Sequence, residues 1–193
     1  MSEPAASSPR TRPLSESPLL AGRAADLLRT PNAMLQLGPE DATTVVGLMR
    51  LVGFERDTVL FREGDSGASS YMLLVLDGEV SVDAGDIAAG DGVAISVLGP
   101  GSILGEMALL DGAPRSVSCT ALTAVQAAGL SRAGLQLLID EHPRVAAKLL
   151  VGLAKRISDR LRALGDQLQM YAQLVATQQQ ELDRLRQGGA GRR

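Results

Sequence analysis

The sequence contains very few aromatic, cysteine and histidine residues. Aromatic residues make up 2% of the 193 residues, Trp is absent, and Cys119 and His142 are the single cysteine and histidine. One cysteine excludes an intrachain disulfide and any metal centre built from several cysteines, and one histidine argues against a Ser-His catalytic pair. Modules that stack nucleic-acid bases on aromatic rings fit poorly as well. We therefore expect neither a metal site nor an enzyme.

The charge balance is slightly acidic. The chain contains 19 Lys and Arg residues and 22 Asp and Glu residues, which gives a formal charge of -3. Proteins that bind the phosphate backbone of DNA normally present a basic surface, so direct DNA binding is not expected. The sequence has no apolar run of about 18 residues, and its start, MSEPAASSPR, lacks the basic-then-apolar order of a secretory signal. These features predict a cytoplasmic protein that does not enter the membrane.

Composition divides the chain into four segments. Residues 1–18 are rich in Ser, Pro and Ala and are predicted to be a disordered arm. Residues 19–143 are predicted to form one domain, with short helices followed by short Gly-punctuated strands. A long helix over 144–187 and a flexible tail over 188–193 complete the chain. The predicted fold class is α+β, mainly β: an antiparallel β-roll resembling a jelly-roll barrel, with N-terminal helices and a long C-terminal coiled-coil helix.

Short local signals support this division. Asp77-Gly78 separates the runs YMLLVL and EVSV and is a dipeptide that two-residue hairpins prefer. Ser131 is predicted to cap a helix that runs to Asp140. Pro143 suits the first turn of the long helix that follows.

The long helix carries a heptad repeat. With Ala147 at position a, every a and d position through Leu185 is apolar or aromatic except Gln178. The repeat therefore predicts a parallel homodimer through the C-terminal helix, with Gln178 as a polar residue that fixes the register. Leu149, Val151 and Leu153 lie off this seam and predict that the first half of the helix also packs on the β-roll.

The segment GSILGEMALLDGAPRSVSCT, Gly101 to Thr120, carries one acid and one base around an apolar stretch, Glu106 and Arg115. One interpretation is a surface salt bridge, which contributes under about 1 kcal/mol. The other is a ligand site. If EMALL begins a short helix after Gly105, its free N–H groups and the Arg115 guanidinium could hold an anion, while Glu106 accepts a hydrogen bond from a sugar hydroxyl. The ligand implied carries a ribose and a phosphate.

GEMALLDGAPRS resembles the phosphate-binding cassette of the cyclic nucleotide-binding domain family. This family includes bacterial regulators of the catabolite-activator type, regulatory subunits of cAMP-dependent kinase and gated channels. The pattern matches at Gly105, Glu106, Ala108, Leu109, Leu110, Pro114, Arg115 and Ser116. VLFREGD, YMLLVLDGEVSV and LGPGSILGE resemble the family's first strands and turns, and LSRAGLQLLIDEHPRVAAKLL resembles its closing helices, so the resemblance covers about Leu35 to Leu164.

The resemblance implies a role for each residue of the cassette. It implies that Glu106 binds the ribose hydroxyl and that Arg115 binds the cyclic phosphate. The remaining oxygens would be bound by the backbone of Gly105, Met107 and Ala108 and by the Ser116 hydroxyl. Arg160 matches the place where relatives contact or cap the base, and a guanidinium can stack on a purine. The alternative for Arg160 is a solvated charge at heptad position g.

The resemblance also implies a function. A cyclic nucleotide, with cAMP first and cGMP or cyclic di-GMP as alternatives, would be the ligand, and no other cofactor is expected. Transcription factors of the family continue with a helix-turn-helix domain, whereas GGAGRR is all that follows Gln187 here. We therefore expect a stand-alone sensor that acts through a protein effector. A structural dimerisation module with an unused pocket is the alternative from another functional class.

Overall fold

The structure, a computed structural model, describes residues 11–30, 37–66, 71–84 and 93–190. The helices are α1 Pro18–Leu28, α2 Pro39–Gly47, α3 Glu106–Asp111, α4 Arg132–Glu141 and α5 Pro143–Ala190. The strands are β1 Thr11–Pro13, β2 Arg50–Phe54, β3 Val59–Phe61, β4 Tyr71–Asp77, β5 Val80–Ala84, β6 Val93–Leu98, β7 Ile103–Leu104, β8 Ser118–Ala121 and β9 Val125–Ser131.

These strands form two antiparallel sheets. One sheet has the order β1-β2-β9-β4-β7 and the other has the order β3-β8-β5-β6. All of their pairings are antiparallel. The predicted β-roll with N-terminal helices and a long C-terminal helix is confirmed.

Strand β4 shows why the run YMLLVL is apolar without interruption. Side chains alternate between the two faces of a strand, and both faces of β4 are covered. Met72, Leu74 and Leu76 pack in a core shared with the helices. Leu73 and Val75 pack in a second core with residues of the other sheet. The ring of Tyr71 lies against this second core, which places it on the inner side of the roll.

The turn at Asp77-Gly78 forms, but it does not make a paired hairpin. Gly78 has φ +87°, a conformation that favours glycine. However, β4 pairs with β7 and β9, whereas β5 pairs with β6 and β8. The hairpin reading was therefore wrong, because the chain uses this turn to pass from one sheet to the other.

The predicted arm over 1–18 is wrong for its described part, which begins at Thr11. Strand β1 pairs with β2 at the sheet edge, and one turn of 3-10 helix follows over Leu14–Glu16. The Leu14 side chain is fully buried, and the backbone N–H of Leu14 donates to the Met49 carbonyl at 3.1 Å. These contacts give a defined structure to a segment whose average composition is polar. Residues 1–10 lie outside the described residues.

The C-terminal helices begin where the sequence predicts. The Ser131 hydroxyl caps α4 by accepting from the Gly134 N–H at 3.1 Å, and Pro143 is the first residue of α5. Leu149 and Leu153 are fully buried, but Val151 is 56% exposed, so the expected packing of Val151 was wrong. Within the described ranges, no helix combines the length and the hydrophobicity that a transmembrane span requires.

The chain divides into two compact units within α5. The first ends at Leu153 and the second begins at Ala154. The first eleven residues of α5 therefore belong to the same unit as the roll, although the sequence placed the boundary at 143/144.

Candidate functional site

Helix α3 lies between two left-handed glycines. Gly105 and Gly112 both have φ +73°. A Cβ atom at Gly105 would lie 3.0 Å from the Tyr71 carbonyl oxygen and 3.2 Å from the Phe61 ring, and it would overlap the Arg115 guanidinium. Glycine at position 105 is therefore required both by backbone conformation and by the space around it.

Glu106, the first residue of α3, is a buried carboxylic acid with only 6% of its surface exposed. Throughout the described ranges, its side chain takes part in no hydrogen bond and no ion pair. A buried polar group of this kind normally has a hydrogen-bond partner. The arrangement leaves both carboxylate oxygens of Glu106 available to an incoming donor.

The backbone of Arg115 is fixed by the turn that follows β3. The Arg115 N–H donates to the Asp65 carbonyl at 3.0 Å, and the Arg115 carbonyl accepts from the Gly64 N–H at 2.8 Å. These two bonds hold the residue in place although it lies outside regular secondary structure.

The guanidinium of Arg115 is half-buried and is held by carbonyl oxygens and aromatic rings. Nη1 donates to the Gly105 carbonyl and Nη2 donates to the Tyr71 carbonyl, each at 3.1 Å. The Cζ atom lies 3.8 Å from the centre of the Phe61 ring and 5.2 Å from that of Tyr71. Two of the five N–H donors are used in this way, which leaves three for a ligand.

Arg115 forms no ion pair with Glu106 or with any other described residue. Burial lowers the pKa of the Arg115 guanidinium, and the neighbouring Tyr71, Cys119, Asp65 and Glu106 oppose that shift. The group nevertheless stays charged, because the ordinary pKa of arginine lies far above neutral. Burial also raises the pKa of Tyr71, against the smaller opposite effect of Arg115. The salt-bridge interpretation of the motif is wrong: the acid and the base are both present and not paired.

The other residues singled out from the sequence have simpler environments. Ala108 is buried, and its carbonyl accepts from Arg132 Nη2 at 3.1 Å. Met107 is 40% exposed and Ser116 is exposed. Arg160 is exposed on α5, in the second compact unit, and its role over a base stays a prediction.

Phe61 and Tyr71 were missed as site residues. The signal was available in the composition, because the whole chain has two Phe and two Tyr residues. Two of these four rings lie against Arg115. In a protein so poor in aromatic residues, each ring was worth testing as part of a site.

Comparisons with known proteins identify the domain family and the fold. The sequence profile of the cyclic nucleotide-binding domain matches residues 51–142. A CRP-like cAMP-activated global transcriptional regulator from Mycobacterium tuberculosis is 28% identical over 130 residues, which are 66% of this chain and 56% of that protein. The regulatory domain of Toxoplasma gondii PKA, solved with cAMP, has 30% identity and a TM-score of 0.53, over 61% of this chain and 43% of that one.

A third comparison covers most of both chains. The solved cyclic nucleotide-binding domain from Methylobacillus flagellatus is 31% identical with a TM-score of 0.65, over 76% of this chain and 81% of that chain. By contrast, the chain spans 56% of the length of the Mycobacterium tuberculosis regulator. The matched profile, the β-roll and the Gly105–Ser116 cassette together establish that the chain belongs to the cyclic nucleotide-binding domain family.

Proposed function

We propose that the protein is a sensor of a cyclic nucleotide, with cAMP as its ligand. One observation carries the proposal: a half-buried guanidinium and a buried carboxylate in the same short segment are left unpaired. Leaving the carboxylate without a donor and the guanidinium without an ion-pair partner costs stability in the free protein. A cyclic nucleotide would satisfy both, since it has a ribose hydroxyl to donate and an anionic phosphate to accept.

In the proposed complex, Arg115 donates to the cyclic phosphate and Glu106 accepts from the ribose 2′-hydroxyl. The backbone at Gly105 and the first-turn N–H groups of Met107 and Ala108, which have no acceptor within the helix, bind further phosphate oxygens. The Ser116 hydroxyl, which is exposed, adds a donor. A site of this kind holds the ligand by charge-assisted hydrogen bonds.

The choice of cAMP rests on the relatives. The Mycobacterium tuberculosis relative is described as cAMP-activated, and the Toxoplasma gondii domain was solved with cAMP. Neither fact excludes another ligand, because the groups identified here recognise ribose and phosphate rather than the base. The proposal is therefore tested with several cyclic nucleotides side by side.

The proposed output is a signal to a protein effector, without catalysis and without direct DNA binding. The acidic charge balance supports a protein rather than a DNA target. Arg132 connects α3 to α4. It is the first residue of α4, and its Nη2 donates a hydrogen bond to the Ala108 carbonyl in α3. Helix α5 begins two residues after α4 ends. A shift of α3 on ligand binding would thus act directly on the start of α4.

We further propose that the second unit forms a parallel homodimer. Five of its seam residues are exposed in the single chain: Leu161 by 69%, Leu164 by 46%, Leu168 by 69%, Tyr171 by 58% and Val175 by 62%. An apolar stripe of this length normally requires a partner.

Calorimetric titration with cAMP, cGMP and cyclic di-GMP tests the ligand. We expect saturable binding of cAMP that is lost in Arg115→Ala and retained in Arg50→Ala. Arg50 is a suitable control, because it also donates to a backbone carbonyl, that of Thr11, at 3.1 Å. Preferential binding of cGMP or cyclic di-GMP would reassign the ligand. No binding of any of the three by a folded protein would overturn the proposal in favour of a structural module.

A further inference from the structure

The half-buried Arg115 guanidinium has no ion-pair partner among the described residues. Buried charges in proteins are normally paired with an opposite charge. Here the described surroundings of the guanidinium supply two carbonyl oxygens and the faces of two rings, but no carboxylate within ion-pair distance.

The two rings form a tilted pair beside the guanidinium. Their centres lie 5.4 Å apart and their planes differ by 49°. Phe61 is the nearer of the two, with its centre 3.8 Å from Cζ, and only 6% of it is exposed. The negative face of an aromatic ring attracts a cation, and the attraction grows when water is excluded. Phe61 therefore contributes an electrostatic contact as well as apolar packing.

An aromatic face differs from a carboxylate in one respect that matters here. A carboxylate would neutralise the guanidinium, and an anionic ligand would have to displace it. A ring carries no net charge, so it orients the guanidinium without neutralising it. The Gly105 and Tyr71 carbonyls likewise use only two of the five donors.

We propose that Phe61 is a positioning residue that holds the charged Arg115 ready for an anionic ligand. The inference deepens the proposed function and rests on it, since the ligand anion is the cyclic phosphate. Phe61 does not touch the ligand in this proposal; it acts through Arg115.

The chain supplies a matched control for Phe61. Phe54 is the other phenylalanine, it is buried to 8% exposure, and it packs in the same core. Of these two residues, Phe61 alone is in contact with a guanidinium. Phe61→Leu and Phe54→Leu each remove one ring from that core, so a general packing effect appears in both variants. An effect through Arg115 appears in Phe61→Leu alone.

The first measurement is calorimetric titration with cAMP. We expect about tenfold weaker binding for Phe61→Leu, equal to about 1.4 kcal/mol, and binding within about twofold of wild type for Phe54→Leu. Equal affinities for the two variants would overturn the inference while leaving the proposed function intact. Absence of binding by the wild-type protein would instead overturn the proposed function, so the two failures are distinguishable.

A second measurement separates ring charge from ring shape. Fluorinated phenylalanine has a weaker negative face and nearly the same shape. Because the chain has only two Phe residues, biosynthetic incorporation in the Phe54→Leu background labels Phe61 alone. We expect the affinity for cAMP to fall stepwise with one, two and three fluorines. The same labelling in the Phe61→Leu background places fluorine only at Phe54 and is expected to change nothing; an unchanged affinity in both backgrounds would contradict the proposal.

A third measurement needs no ligand. In a double-mutant cycle of urea unfolding, Phe61→Leu and Arg115→Ala are expected to be non-additive by at least about fivefold in the unfolding equilibrium constant. Phe54→Leu and Arg115→Ala are expected to be additive. Additivity of the first pair would show that the ring does not hold the guanidinium and would overturn the inference.

Discussion

The guanidinium of Arg115 donates a hydrogen bond from Nη1 to the carbonyl oxygen of Gly105, 3.1 Å away. This bond joins the two ends of the cassette, because Gly105 precedes α3 and Arg115 follows it. It works only because position 105 has no side chain: a Cβ there would overlap the same Nη1. The glycine thus sets where the cation lies, as well as allowing a left-handed backbone.

Gly105→Ala is expected to impair both ligand binding and stability. The new methyl group must displace the guanidinium from its carbonyl partner, and the backbone at φ +73° adds strain of about 1–3 kcal/mol. We predict at least tenfold weaker binding of cAMP by calorimetry. Gly112→Ala is the control, because Gly112 also has φ +73° but its Cβ would meet Arg132 at 2.9 Å instead. It should lose comparable stability and keep most of its affinity; equal affinity losses would show that backbone strain alone is responsible.

Glu106→Gln is expected to separate binding from stability. The amide keeps the shape of the side chain but removes its charge, and the buried carboxylate has no described protein donor to lose. The free protein should therefore be at least as stable as wild type in urea unfolding. Binding of cAMP should weaken by roughly 10- to 100-fold, since a hydrogen bond to a charged group contributes about 1.5–3 kcal/mol.

The ligand itself provides the control for Glu106. A 2′-deoxy analogue of cAMP lacks the hydroxyl that we assign to this carboxylate. Wild type should bind the analogue weakly, and Glu106→Gln should discriminate much less between the analogue and cAMP. If the variant discriminates as strongly as wild type, Glu106 does not recognise the 2′-hydroxyl.

Much of this fold could be predicted because the spacing of apolar residues and the positions of capping and turn residues are local properties of the chain. The short apolar runs, the Ser131 cap and the long heptad helix each required only neighbouring residues, and each appears in the structure. Which sheet a strand joins depends on distant partners instead. That is why the turn at Gly78 was correctly predicted as a turn and wrongly predicted as a hairpin.

The candidate site divides in the same way. Gly105, Glu106 and Arg115 lie within eleven residues of one another, so a motif could reveal them. Phe61 and Tyr71 come from separate strands, and the fold alone brings them to Arg115. The burial of Leu14 against Met49 is also a tertiary effect, which composition over 18 residues could not show.

The ion pair between α2 and α5 predicts a loss of stability in acid. Lys148 Nζ lies 2.6 Å from Asp41 Oδ2, and that bond, together with the Gly38 N–H at 2.9 Å, lowers the pKa of Asp41 below 3.8. The unfolded chain therefore takes up this proton at a higher pH than the folded chain. The contribution of Asp41 is fully present well above pH 3.8 and is lost as the pH falls through the lower folded pKa.

Urea unfolding from pH 6 to pH 3 measures this contribution. Wild type should be more stable than Asp41→Asn at pH 6, and the difference should shrink below about pH 4. Glu40→Gln is the matched control, because it removes the adjacent exposed carboxylate of the same helix turn, which forms no ion pair with a described residue. A difference between wild type and Asp41→Asn that stays constant down to pH 3 would contradict an electrostatic role for the pair.

The seam of α5 predicts how the oligomer can be broken. Leu168 and Met170 are almost equally exposed in the single chain, at 69% and 62%. However, Leu168 occupies heptad position a, whereas Met170 occupies position c, which faces away from a two-stranded seam.

Leu168→Glu places two buried charges opposite each other across the dimer, so sedimentation equilibrium should show its mass fall from twice the chain mass to the chain mass. Met170→Glu should remain a dimer. Dissociation by both substitutions would indicate a broader interface than a two-stranded coil, and dissociation by neither would mean that this stripe contacts something other than a second copy.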